Sequence, residues 1–222
     1  MSRTLPPWAE SIRSAYLRGE ATVFVVHGNI YDLVAHRGAL HPLPDFLRDV
    51  LLAKKDVVLR YDPAAGIRVL RRSRPIPHLE DAAGVQSPER ALAVLESILR
   101  STDGVAVLVD YADLLAPAGD VGFMAEGDRR ALVTLHRWSL DPELEASDNV
   151  VLLFSESLTD LSPRLISNPR VVTVEIPLPD EGERAAVIRQ IEPDAQPREI
   201  ERLAQRSGGL QRIQLRSILD PG

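Results

Sequence analysis

The sequence predicts an α/β fold, with a mainly parallel sheet covered by helices on both faces and a small all-helical unit after it. Five apolar runs carry this reading, at residues 22–26, 57–61, 105–109, 149–154 and 171–176. Each is dominated by apolar residues, many of them β-branched, the pattern of a buried strand. Helical segments separate them, and such alternation joins parallel neighbours by crossover connections. After Ile176 the strand pattern stops and three helical segments follow. The chain therefore divides into an α/β unit over residues 1–177 and a helical unit over residues 178–222.

The elements follow in order. Segment 7–18 carries Trp8, Ile12, Ala15 and Tyr16 at helical spacing and stops at Gly19. Run 22–26 ends at His27-Gly28-Asn29, and a polar, proline-containing stretch leads to a helix at 45–53. Runs 57–61 and 66–70, separated by Asp62-Pro63-Ala64-Ala65, read as a strand, a turn and a second short strand. Residues 71–87, with Pro75, Pro77 and Gly84, read as a loop. Ser87 as N-cap and Pro88 at the first helical position open a helix whose Leu92, Leu95, Ile98 and Leu99 share one face. Strand 105–109, a loose segment 117–127, a helix at 128–140 and strand 149–154 come next. A short helix starts at Ser162-Pro163, and strand 171–176 ends the α/β unit. Asp180 and Glu183 have capping-box spacing before a helix with Val187, Ile188 and Ile191. Pro197 opens a second terminal helix that stops at Gly208-Gly209, and residues 210–219 make the last.

Composition narrows the function classes. An apolar fraction of 45% with 26% charged residues is that of a globular protein. No apolar run is long enough to span a bilayer and the N-terminus lacks a signal-peptide pattern, so the expectation is a cytoplasmic protein without a membrane partner. The absence of cysteine removes disulfides and thiolate metal sites. His27, His36, His41, His78 and His136 show no metal-ligand spacing, and Ser155 and Ser157 lack a nucleophile elbow. The net charge of −6 gives no overall attraction for nucleic acid. One local exception is the cluster of Arg60, Arg68, Arg71, Arg72 and Arg74, either a solvated face or a docking patch for an acidic partner or nucleic acid.

The chemistry-bearing motif is the strand 105–109, which runs into Asp110-Tyr111-Ala112-Asp113. This is the outline of a Walker B segment, whose acidic residue sits beside a nucleotide-bound magnesium ion. Its partner, a G-x-x-x-x-G-K-[ST] loop, occurs nowhere in the chain. The loop after the first strand reads His27-Gly28-Asn29-Ile30-Tyr31-Asp32-Leu33, with no lysine and no following hydroxyl residue. Asp32 brings a negative charge to this loop, and Lys54 and Lys55, the only lysines, follow a helix.

The order of elements resembles an AAA+ module from about Trp8 to Leu219. The best-matching stretches are Leu153-Phe154-Ser155-Glu156-Ser157, Leu161-Ser162-Pro163-Arg164-Leu165 and Val174-Glu175-Ile176-Pro177-Leu178-Pro179-Asp180-Glu181. The resemblance implies a three-layer P-loop-NTPase-like fold with a five-stranded parallel sheet and a C-terminal helical lid. It implies a magnesium position at Asp110, with Tyr111 where a water-polarising glutamate is expected and Asp113 three residues on. Tyrosine is a poor base at neutral pH. Asp110 alternatively ends a buried strand and caps a nearby backbone group. Ser155-Glu156 stands at the sensor position. Arg164 and Arg170 fall where the family places an arginine finger that reaches a neighbour's nucleotide, and either can equally be a surface residue. Arg212 and Arg216 fall on the lid helix that carries a second sensor, although a solvent-facing role suits them. Gly122-Phe123-Met124-Ala125 is an apolar loop tip that either packs back or meets a partner or pore.

These departures point to a degenerate module, a pseudo-ATPase, acting as a scaffold or regulatory domain. It is expected to be the N-terminal part of a longer AAA+ protein, of a kind found in bacteria, whose intact module binds and hydrolyses Mg-ATP. Its partners would be that module in cis or further copies in a homo-oligomer. Two alternatives remain: a nucleotide-binding ATPase whose Gly28 and Asn29 amides hold phosphates at a helix N-terminus, with Asp110 on magnesium; and a nucleic-acid or protein adaptor using the Arg68–Arg74 patch.

Overall fold

Helix α1 (Pro7–Leu17) starts on Pro7, where the missing N–H costs nothing, and turns Trp8, Ala9, Ile12 and Ala15 inward. It leads into β1 (Val23–Gly28), whose alternate residues feed two cores. The structure is a computed structural model and describes residues 5–77, 79–82 and 84–219. His78 and the outer ends of both units, residues 1–4 and 220–222, lie outside the described residues.

The polar stretch after β1 is not a plain loop. It forms the hairpin β2 (Leu33–His36) and β3 (Ala39–Pro42) around Arg37 and Gly38, both at positive φ. The expected helix at 45–53 starts earlier, as α2 (Leu43–Phe46), and widens into a π-helical turn over Leu47–Leu51. Strand β4 (Val57–Asp62) then turns through Gly66 into β5 (Gly66–Arg72), which pairs antiparallel with it. The sheet therefore has six strands rather than five, because this second short strand joins it as an edge. Within residues 71–87 lies the short α3 (Leu79–Ala82).

Helix α4 (Pro88–Ser101) has Ser87 at its N-cap position, but the serine side chain makes no capping bond. Strand β6 (Val105–Val109) is buried throughout and leads to α5 (Ala112–Leu115), α6 (Glu126–Leu140) and α7 (Pro142–Ala146). Strand β7 (Val150–Ser155), α8 (Pro163–Ile166) and β8 (Val171–Ile176) complete the sheet. Its order is β5-β4-β6-β7-β1-β8, parallel except for β5. One face carries Val23, Val25 and Leu59 against Leu95, Leu135 and Trp138. The other carries Phe24, Leu108 and Leu152 against Trp8 and Phe46. Truncating a residue such as Leu135 to alanine is worth about 2–5 kcal/mol at sites of this kind.

The terminal helices are α9 (Glu181–Ile191), α10 (Pro197–Arg206) and α11 (Arg212–Leu219). The capping box of α9 is complete, with Asp180 and Glu183 each satisfying the other's backbone N–H. Ile188, Ile200 and Ala204 form their small core, and the buried Arg184 ties α9 to α10 through the Ala204 carbonyl. Among the described residues no helix is long and apolar enough to cross a membrane.

Candidate functional site

In an open parallel sheet ligands gather beyond the C-terminal ends of the strands. Here that edge carries Gly28 from β1, Asp110 after β6, Ser155 at the end of β7 with Glu156 after it, and Pro177 after β8. Gly28 is required by geometry: its φ is 89°, and an added Cβ would lie 2.7 Å from the Ile176 carbonyl oxygen. The turn spends its own amides. Gly28 N–H donates to the Glu156 carbonyl at 3.1 Å, Asn29 N–H to the Ile176 carbonyl at 2.8 Å, and Ile30 N–H to the Gly28 carbonyl at 2.8 Å. Strand β2 follows, so Gly28 and Asn29 do not open a helix, contrary to the geometry expected for phosphate-holding amides.

Asp32, from the same turn, is almost fully buried. Its carboxylate accepts the backbone N–H groups of Arg212 at 3.0 Å and Ile213 at 2.8 Å, the first two residues of α11. It also accepts from Asn29 Nδ2 at 2.8 Å and faces the Arg212 guanidinium at 3.4 Å. Asn29 Oδ1 in turn accepts from Gln211 Nε2 at 2.7 Å, and Arg212 pairs with Glu183 at 2.9 Å. A buried carboxylate is tolerable only when satisfied in this way. A helix N-terminus, with its unpaired N–H groups and partial positive charge, suits an anion. That anion is the chain's own.

Asp110 is similarly occupied. Its carboxylate lies 2.5 Å from Nε of Arg60 on the neighbouring β4, and its N–H donates to the Tyr61 carbonyl at 2.9 Å. Its side chain therefore meets a guanidinium rather than a backbone cap. Tyr111 takes a left-handed conformation with φ 53° and leaves its ring exposed, while Asp113 sits half-buried in the first turn of α5. Ser155 Oγ donates to the Ser157 carbonyl at 2.9 Å. Glu156 is exposed beside Tyr31, and burial together with that carboxylate pushes the Tyr31 hydroxyl up to about 12.

Two cavities flank Asp32. A smaller one of about 260 Å³ is bordered by Tyr31, Arg60, Asp110, Ile213 and Arg216. A larger one of about 770 Å³ lies between β8, β2, the start of α1 and the lid, and includes Arg212 in its wall. Asp110, Arg216, Tyr31 and Asp32 are thus brought together, whereas the lysines are not. Lys55 precedes β4 at the opposite edge of the sheet, held by the Asp148 carboxylate at 2.7 Å and the Tyr16 hydroxyl at 2.8 Å.

Arg170 bonds Glu145 of its own α7 at 2.8 Å. Arg164 is exposed at the start of α8 with no ion pair among the described residues. In the arginine cluster, Arg60 is bound to Asp110, Arg71 to Asp49 at 3.2 Å and Arg74 to Asp56 at 3.1 Å, with Arg68 3.9 Å from Asp62. Arg72 is exposed and without an ion pair among those residues. Phe123 projects at 92% exposure, while its neighbours Val121 and Met124 pack against the core. Among the described residues no group of three or more His, Asp or Glu side chains is arranged to hold a metal. The role of Arg60 was invisible in sequence because its partner lies on another strand; only the acidic character of Asp32 in the post-β1 loop gave a signal.

A comparison with curated proteins finds no match. A chain in the solved structure of the E. coli MS115-1 HORMA:CdnC:Trip13 complex shares the fold, with a TM-score of 0.59 and 15% identity. The match covers 90% of this chain and 66% of that one. The family model described as AAA+ chaperone, N-terminal Rossmann-like domain, matches residues 2–177. Both findings agree with the α/β fold, and the chain belongs to this AAA+ chaperone N-terminal domain family.

Proposed function

We propose that this chain is a degenerate AAA+ module that keeps its lid docked without nucleotide and acts as a scaffold or regulatory domain beside an intact ATPase module. The observation that carries the reading is the pair of internal charges at the strand ends. Asp32 supplies an anion to the N-terminus of α11 and to Arg212, and Arg60 supplies a cation to Asp110. Mg-ATP would bring its own anion and cation to a site of this class. The residues present do not fit it. The turn after β1 lacks a lysine, its Gly28, Asn29 and Ile30 amides are bonded within the fold, and Tyr111 stands where a carboxylate would polarise water. ATP binding and hydrolysis are therefore assigned to another module of a longer protein.

Arg164 is the residue we assign to contact with that neighbouring module, because it is exposed and uncommitted among the described residues whereas Arg170 is tied to Glu145. The nucleic-acid reading has less support, since most arginines of the cluster face carboxylates of their own chain. Thermal unfolding with and without millimolar Mg-ATP or Mg-ADP tests the central point. A ligand at 100 times its dissociation constant adds about 2.7 kcal/mol of stability. No shift supports the proposal, and a saturable shift removes it.

A further inference from the structure

The larger cavity lies along an unpaired sheet edge. Among the described residues, strand β8 is the last strand of the sheet and pairs only with β1. The Ile176 carbonyl accepts from Asn29, so Ile176 and Val174 direct their backbone groups at β1. Backbone direction alternates along a strand, which turns the N–H and C=O groups of Thr173 and Glu175 outward. Both residues are exposed and border the 770 Å³ groove. Strand β2, which among the described residues pairs only with β3, borders the same groove from the other side. Trp8, Val34, Ile176 and Leu178 give it apolar walls. Among the described residues its charged lining is Asp32, Glu175, Asp180 and Glu183 against Arg37 and Arg212, an excess of two negative charges (four minus two).

We propose that this groove receives an extended peptide segment of a protein partner, with alternating apolar and basic residues, added as a strand to the free edge of β8. Main-chain hydrogen bonds at Thr173 and Glu175 supply affinity, as in other strand additions. The apolar walls take one row of side chains. The carboxylate rim selects basic residues for the other. The inference deepens the interaction-domain reading and rests on it only for the existence of a protein partner.

The test uses a fluorescein-labelled hexapeptide of alternating valine and arginine, followed by anisotropy. Controls are the same peptide N-methylated at alternate amides and a version with glutamate in place of arginine. Saturable binding is expected, weakened at least about tenfold by N-methylation and by the glutamate exchange. Thr173→Pro removes an outward donor at an edge position that tolerates proline, and Glu175→Lys reverses a rim charge; each should weaken binding at least about fivefold. Should Thr173→Pro fail to fold, Glu175→Lys and the N-methylated peptide carry the test. Equal binding of the N-methylated peptide, indifference to Glu175→Lys, or no binding at millimolar peptide overturns the proposal. So does a dimer of the chain that occupies this edge and is abolished by Thr173→Pro. Nucleotide binding in the same preparation would sink the nucleotide-free reading and leave this one standing, while peptide failure alone does the reverse.

Discussion

The Asp32 carboxylate accepts the backbone N–H of Ile213 at 2.8 Å, linking the turn after the first strand to the last helix across 181 positions of sequence. Arg212 N–H joins it at 3.0 Å. One side chain thus caps α11, neutralises a buried guanidinium and fastens the lid to the sheet. Asp32→Ala removes all three roles and leaves the Arg212 guanidinium with Glu183 alone. The expected loss is about 2–4 kcal/mol in denaturant unfolding, combining a helix cap with part of a buried pair. Hydrogen exchange should accelerate first in α11. Asp32→Asn retains an acceptor and should lose less.

Gly28 stands where a phosphate loop would begin, yet its constraint is the neighbouring strand. Gly28→Ala places a Cβ against the Ile176 carbonyl at positive φ. A loss of about 2–4 kcal/mol is expected in the nucleotide-free protein, from backbone strain and overpacking. Unchanged stability would remove this packing role.

The Lys55 site gives a pH dependence. Burial acts to raise the Asp148 carboxyl, but hydrogen bonds from Lys55 and Tyr16 outweigh it and hold the group below its ordinary value. A depressed carboxyl stabilises the fold fully above its unfolded pKa of about 3.9 and loses that contribution as pH falls through the folded value. Stability should therefore rise with pH across this acid window, and Asp148→Asn should flatten that part of the curve. The Asp148 side chain is 62% exposed, so the effect is screened and stays below about 1 kcal/mol. Urea unfolding at a series of acid pH values checks it.

Arg164→Ala and Phe123→Ala remove exposed side chains with no ion pair or core contact at stake among the described residues. Each should change stability by less than about 0.5 kcal/mol. A larger change in melting experiments would mean that the residue serves the fold rather than a partner.

The buried strands are legible because β6 is apolar throughout and β7 is apolar from Val150 to Phe154, and the capping box at Asp180 and Glu183 marks α9. The hairpin at Leu33–His36 and Ala39–Pro42 was not. Its second strand has no fully buried residue and contains His41 and Pro42, so no alternating pattern announces it. Asp110 was found as a strand-end acid, but its guanidinium partner depends on the register of β4 beside β6, where Arg60 is level with Leu108. In the sequence Asp32 is legible only as a negative charge in the loop after the first strand. Its partners lie 180 and 181 positions away, a proximity that exists only once the lid folds back.

Amide exchange at Arg212 and Ile213, resolved by NMR with and without millimolar Mg-ATP, tests the internal latch most directly. Both amides should be strongly protected without nucleotide, and nucleotide should leave their exchange unchanged. Fast exchange in the free protein, slowed when Mg-ATP is added, would contradict a lid latched by Asp32.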